Sequence, residues 1–185
     1  MDFDWISLQR TARDEFGARV AMIVQWSGPT PDTDWTVTDL VRHVVVEQQW
    51  VPPLLAGKTV DQARSDVASL HGDLRAEWNR YAHAASLAWE ETDLQAPVHL
   101  SFGTFPVEYY LRQQTSDIAV HAWDLARAVG ADERLDPTLV EAVWRELDGQ
   151  RDMLADSGLF GDPVPVEDDA PLQDRLLALT GRNPR

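Results

Sequence analysis

Helical periodicity runs through almost the whole chain and limits the fold to packed helices more firmly than any other feature. Near residues 4–26, Trp5, Leu8, Ala12, Phe16, Val20 and Ile23 recur at spacings of three and four, the buried stripe of an amphipathic helix. SGPTPDTD then breaks the pattern, as glycine and two prolines demand. A second helix is predicted from Thr36, where Thr36 and Asp39 form a T-x-x-D capping signature. Pro52 and Pro53 should kink or end it, and Gly57 closes the segment. The spacing of Val67, Leu70, Leu74, Trp78, Tyr81, Ala85 and Ala88 predicts a third helix over about 61–90.

APVHLSFGTFP alternates around a glycine and reads as an extended or hairpin segment near 97–106. A fourth helix runs over about 107–129 and stops at Gly130. A fifth starts at Asp136-Pro137, an N-cap followed by proline in the first turn, and continues through Val140, Val143, Trp144 and Leu147. GDPVPVEDDAP is a turn-rich acidic connector, and PLQDRLLALTGRNPR is one short amphipathic helix stopped by Gly181. The expectation is an all-α bundle of four long helices with an additional C-terminal helix. It would fill residues 1–160, with the connector and short helix of 161–185 packed on the same domain.

Against this apolar background a few ionisable residues stand out. Leu40, His43, Glu47, Trp50 and Leu54 share one stripe of the second helix. On the fourth, Tyr110, Gln114, Asp117 and His121 lie beside the apolar stripe of Leu111, Ile118, Ala122 and Leu125. Asp117 and His121, four apart, project from one face. A His–carboxylate pair on one helix and a further ligand on another is how bundles build metal sites, and open sites of this kind are catalytic more often than structural. The competing reading is a hydrogen-bonded core, with Asp117 paired to an arginine such as Arg112. Glu47 is either a fourth ligand or a partner that orients an imidazole, and Gln114 and Tyr110 are candidates to face a substrate or support the ligands. His71 and His83 read as surface or packing residues, His99 as an exposed loop residue, and Asp124 with Arg127 as a local ion pair. Ser101 and Thr104 have no base at a recognisable spacing.

The net charge of −15 argues against nucleic-acid binding, because phosphate neutralisation needs basic patches. No apolar run approaches the roughly 18 residues of a membrane span, and MDFDWISLQR is too acidic for a signal peptide, so a cytoplasmic location is expected. Cysteine is absent, which removes disulfides, zinc–thiolate sites and any protein thiol nucleophile. A metal must then use nitrogen and oxygen ligands, and any sulfur chemistry must come from a small molecule. Eight tryptophans should be core or cleft walls; they are compatible with a homodimer through helix faces, although no stripe demands one.

WTVTDLVRHVVVEQQWVPPLLAGKTV, SDIAVHAWDLARAVGAD and PLQDRLLALTGRNP together resemble the DinB-like superfamily, in the branch similar to the N-terminal domain of mycothiol-dependent maleylpyruvate isomerase. The resemblance covers most of the chain and implies a four-helix bundle holding one divalent metal through His43, Asp117 and His121. It also implies a low-molecular-weight thiol such as mycothiol as co-substrate of a transferase or isomerase. Where the isomerase pattern carries glutamate, this chain has Asp117, one methylene shorter. The isomerase has a second, C-terminal domain contributing to its site, for which this chain is too short. Three functions follow as expectations: a metal- and thiol-dependent enzyme, a non-catalytic metal or small-molecule binding protein, or a structural helical protein. Two histidines and a carboxylate suit zinc, and equally iron(II) or nickel.

Overall fold

Helices α1 (Trp5–Met22), α2 (Val37–Leu55), α4 (Leu74–Glu91) and α5 (Val107–Val129) form the bundle, with a four-residue helix α3 (Val60–Ala63) between the second and the next. Strands β1 (Pro97–Leu100) and β2 (Gly103–Pro106) make an antiparallel hairpin, and α6 (Pro137–Asp148) and α7 (Leu172–Leu179) follow α5. The computed structural model describes residues 3–32, 34–151 and 160–185. Within the bundle α1 packs chiefly on α5 and α2 on α4, while α6 and α7 pack on one another at its flank. The predicted stripe of α1 is the buried one: Trp5, Leu8, Ala12, Phe16, Val20 and Ile23 all lie in the core. Each such side chain contributes about 1.5–3 kcal/mol of burial. Among the described residues no helix is long and apolar enough to cross a membrane.

The helix starts follow their local chemistry. Asp4 accepts from the Ser7 amide at 3.2 Å, Thr36 and Asp39 form the expected reciprocal box, and Asp136 accepts from the Thr138 and Leu139 amides at 2.8 and 3.0 Å. Helix α5 has no side-chain cap; its first amides, of Val107 and Glu108, donate to Ala96 O and Leu94 O at 2.9 Å each. That exchange ties the segment leading into the hairpin to the start of α5.

Two boundaries differ from expectation. Helix α1 stops at Met22, before Gly28 is reached. Helix α2 carries Pro52 and Pro53 inside its last turn and ends at Leu55, shortly before Gly57 at φ 84°. The helix expected over 61–90 is two: the chain leaves helix after Ala63 and re-enters at Leu74, where Asp73 caps α4. Leu70 is buried as its spacing suggested, but it reaches the core from a loop. Turn-forming Ser65, Asp66, Ser69, Gly72 and Asp73 outweigh an apolar period that persists across them.

Two later helices end at glycines in the left-handed region. Gly130 ends α5 in the left-handed region at φ 70°, and Gly181 follows α7 at φ 81°. At Gly181 a Cβ would stand 2.7 Å from the Gly161 Cα, so the connector and the turn after α7 touch backbone to backbone. Gly181→Ala is expected to lower stability by about 2 kcal/mol, through the left-handed conformation and the lost close approach together. A thermal melt unchanged from the parent chain would contradict that.

Candidate metal centre

On α2, Val37, Val41, Val44 and Val45 are buried in the core, which leaves His43 and Glu47 on the adjoining face. On α5 the steps of four, three and four from Tyr110 to Gln114, Asp117 and His121 keep all four on one side. The two faces meet at the floor of a cleft of about 760 Å³. There His43 Nε2 lies 3.7 Å from Asp117 Oδ2, and His121 Nε2 lies 3.4 Å from Asp117 Oδ1. One ligand atom from each of the three residues falls within 4.8 Å of the others.

These separations are longer than the roughly 2.7–3.2 Å of a hydrogen bond. Two donors each about 2.0–2.1 Å from a tetrahedral metal lie about 3.3 Å apart, so the spacing fits a shared cation better than direct pairing. Asp117 Oδ2 is buried and has no hydrogen-bond partner among the described residues, a costly state for a carboxylate oxygen unless a cation satisfies it. The donor set passes the test of fit. Arg112, the alternative partner for Asp117, is engaged instead by Glu108 at 2.5 Å and Glu146 at 3.2 Å.

Trp35, in the loop before α2, covers the two imidazoles. Its ring centroid is 4.9 Å from that of His43 and 5.8 Å from that of His121, nearly parallel to the latter at 21°. The loop is held by Val37 N donating to Gly28 O and Thr38 N to Trp26 O, both at 2.9 Å. Behind His121, its Nδ1 stands 3.1 Å from Asp124 Oδ2. Asp124 is wholly buried and is gripped by Arg182, whose Nε reaches Oδ1 at 3.2 Å and Nη2 reaches Oδ2 at 2.8 Å. Nη2 also donates to Asp32 Oδ2 at 2.7 Å, and Nη1 to Thr180 O at 2.8 Å. Asp32, His121 and Asp124 also sit close enough to resemble a ligand group, but the Arg182 guanidinium already bridges the two carboxylates.

One sequence expectation needs correction here. Asp124 does not pair with Arg127, which is bound to Glu133 at 2.7 Å. Asp124 faces inward, three residues from His121 on the same helix, and its partner arrives 58 residues later. Glu47 Oε2 accepts from Gln114 Nε2 at 3.2 Å, and Gln114 Oε1 accepts from Gln48 Nε2 at 3.3 Å, so Glu47 and Gln114 form one chain of contacts. The Tyr110 hydroxyl is buried without a hydrogen-bond partner among the described residues, and Tyr110 lines the cleft. His71 and His83 are exposed, and His99 Nδ1 meets Thr104 Oγ1 at 2.9 Å across the hairpin, away from the three ligand candidates.

The electrostatics reflect this crowding. Burial alone would lower the His121 pKa, but Asp117 and Asp124 outweigh it and push it from 6.5 up to about 10. Burial opposes ionisation of Asp117 too, and the two histidines override it, holding the carboxyl well below its usual range. Burial raises Glu47, and repulsion from Asp117 adds to the rise. In the metal-free protein the His121 imidazolium therefore stabilises the fold fully below pH 6.5, and that contribution fades as pH rises toward about 10. Denaturant titrations of chelator-treated protein should show stability falling across this window by up to about 1.4 kcal/mol per pH unit. A flat profile would contradict the ion-paired arrangement.

The family model for the mycothiol maleylpyruvate isomerase N-terminal domain matches residues 9–126. Uncharacterized proteins of Mycobacterium tuberculosis, from strain CDC 1551 / Oshkosh and strain ATCC 25618 / H37Rv, are each 33% identical over 187 residues, covering 98% of this chain and 100% of theirs. Crystal structures of the mycothiol-dependent maleylpyruvate isomerase and of a histidine-to-alanine mutant share the fold with a TM-score of 0.62. They are 19% and 17% identical to it, and the match covers 78% of this chain and 68% of theirs. With the match spanning more than half of its length, the chain belongs to the mycothiol maleylpyruvate isomerase N-terminal domain family.

Proposed function

We propose that His43, Asp117 and His121 hold one divalent cation, and that the protein is a metal-dependent transferase or isomerase using a low-molecular-weight thiol such as mycothiol. The observation that carries the reading is the convergence of three unspent donors from α2 and α5 at the floor of a cleft, with the Asp117 Oδ2 left unpartnered. Zinc suits two imidazoles and a carboxylate, as do iron(II) and nickel. When bound, such a cation supplies a Lewis acid that favours the ionised form of a thiol.

The chain's own residues have separable tasks. Asp124 accepts from His121 Nδ1–H, so Nε2, on the side of Asp117, is the nitrogen that would give up its proton to hold the cation. Trp35 keeps water from one side of the imidazoles. Glu47, with its raised pKa and Oε1 outside any hydrogen bond among the described residues, is the group to take up the thiol proton. Tyr110, its ionisation suppressed by burial and then by Glu47 and Asp117, remains a neutral donor inside the cleft.

The test is consumption of a small electrophile that depends on both added thiol and bound metal. The reading predicts such turnover in the parent chain and its loss in His121→Ala. A full metal complement with no turnover across a broad electrophile panel would favour a non-catalytic binding protein of the same family.

A further inference from the structure

Building on that reading of the cleft as a substrate site, we infer that its second substrate is an uncharged molecule with an apolar body, and that carboxylate-bearing molecules are disfavoured. The inference comes from what the walls above the three ligand candidates lack. Arg182 is the one arginine or lysine lining the cleft among the described residues, and residues 152–159 contain neither. Its side chain is 5% exposed, and it spends four N–H bonds on Asp32, Asp124 and the Thr180 carbonyl. A guanidinium has five N–H groups, so there is no fork left for an incoming carboxylate.

Charge points the same way. Asp32, Glu47, Asp117 and Glu146 all line the cleft. Arg182 is shared between Asp32 and Asp124, and Glu146 shares Arg112 with Glu108. With His121 neutral as a metal ligand, each cluster therefore retains one negative charge. The two positive charges of a divalent cation would be met by Asp117 and Glu47 when both are ionised. An anionic substrate would enter a field of its own sign.

The remaining wall is apolar. Trp50, Leu54, Val60, Leu100 and Leu147 form it, and Phe102 at the hairpin tip stands 62% exposed at its edge. Phe102 is backed by Phe105 at 5.2 Å, which stacks on Tyr109 at 4.6 Å. An exposed phenyl ring backed by a second ring at a cleft edge is a surface for the apolar part of a ligand.

A matched pair of unreactive ligands tests this: 4-(3-oxobutyl)benzoate and its uncharged methyl ester, measured by equilibrium dialysis against the zinc-loaded full chain. The ester is expected to bind at least about tenfold more tightly, since the two differ chiefly in charge. Asp32→Asn, which removes a cleft carboxylate and leaves Arg182 with one fewer anion, is expected to improve benzoate binding at least about threefold and leave the ester unchanged. Because this is a gain of binding, a misfolded variant cannot produce it. Equal or tighter binding of the benzoate by the parent chain, no gain in Asp32→Asn, or binding of neither ligand would overturn the inference. Metal content measured on the same samples separates the two ideas. Metal-free protein that still prefers the ester contradicts the proposed function alone, and metal-replete protein that prefers the benzoate contradicts this inference alone.

Discussion

Arg182→Ala is expected to cost about 3–5 kcal/mol of folding stability, because it strands the Asp124 carboxylate in the interior. Asp124 is fully buried, and after the substitution its remaining partner is His121 Nδ1 at 3.1 Å. The same change loosens the support of His121, so metal affinity in the folded fraction should fall by about 10–100-fold. Arg182→Lys should recover little, since an ammonium cannot reproduce the fork that spans Asp32, Asp124 and the Thr180 carbonyl. Asp124→Asn keeps an acceptor for His121 Nδ1–H and should retain more metal than Asp124→Ala. Denaturant unfolding and competitive chelator titration measure the two effects separately. Parent-like values of both in Arg182→Ala would show that the C-terminal turn does not support His121.

The second large effect is expected from His43→Ala. It removes one of three proposed ligands and should weaken metal binding by at least about 100-fold. The stability of the metal-free chain should change little, because the His43 side chain is 33% exposed and 3.7 Å from its nearest carboxylate oxygen. The contrast with Arg182→Ala is diagnostic. One variant loses metal without losing fold, and the other loses both. If His43→Ala bound metal as the parent chain does, His43 would not be a ligand.

Helices α2, α5 and α6 were readable because period and punctuation agree: Thr36 with Asp39 and Asp136 with Pro137 mark starts, and Gly130 marks a stop, while α1 was readable from its apolar period. The break before α4 was hidden because Val67 and Leu70 keep helical spacing through a loop. The three proposed ligands could be picked out because polar residues at helical spacing interrupt apolar stripes. Asp124 carried the same kind of signal, three residues after His121, but Arg127 at the next i+3 position offered a nearer partner. Arg182, Asp32 and Trp35 carried none. They reach the centre from loops, and no periodicity reports a contact between residues 124 and 182. The family model ends at residue 126, so it includes Asp124 but not the segment that supplies Arg182.

The central claim is that His43, Asp117 and His121 bind a cation, and metal analysis of untagged protein tests it most directly. Purified without chelator, the parent chain should carry about one equivalent of divalent metal and His43→Ala less than about a tenth. Less than about a tenth of an equivalent in the parent chain, with no uptake on adding zinc, iron(II) or nickel, would contradict the account.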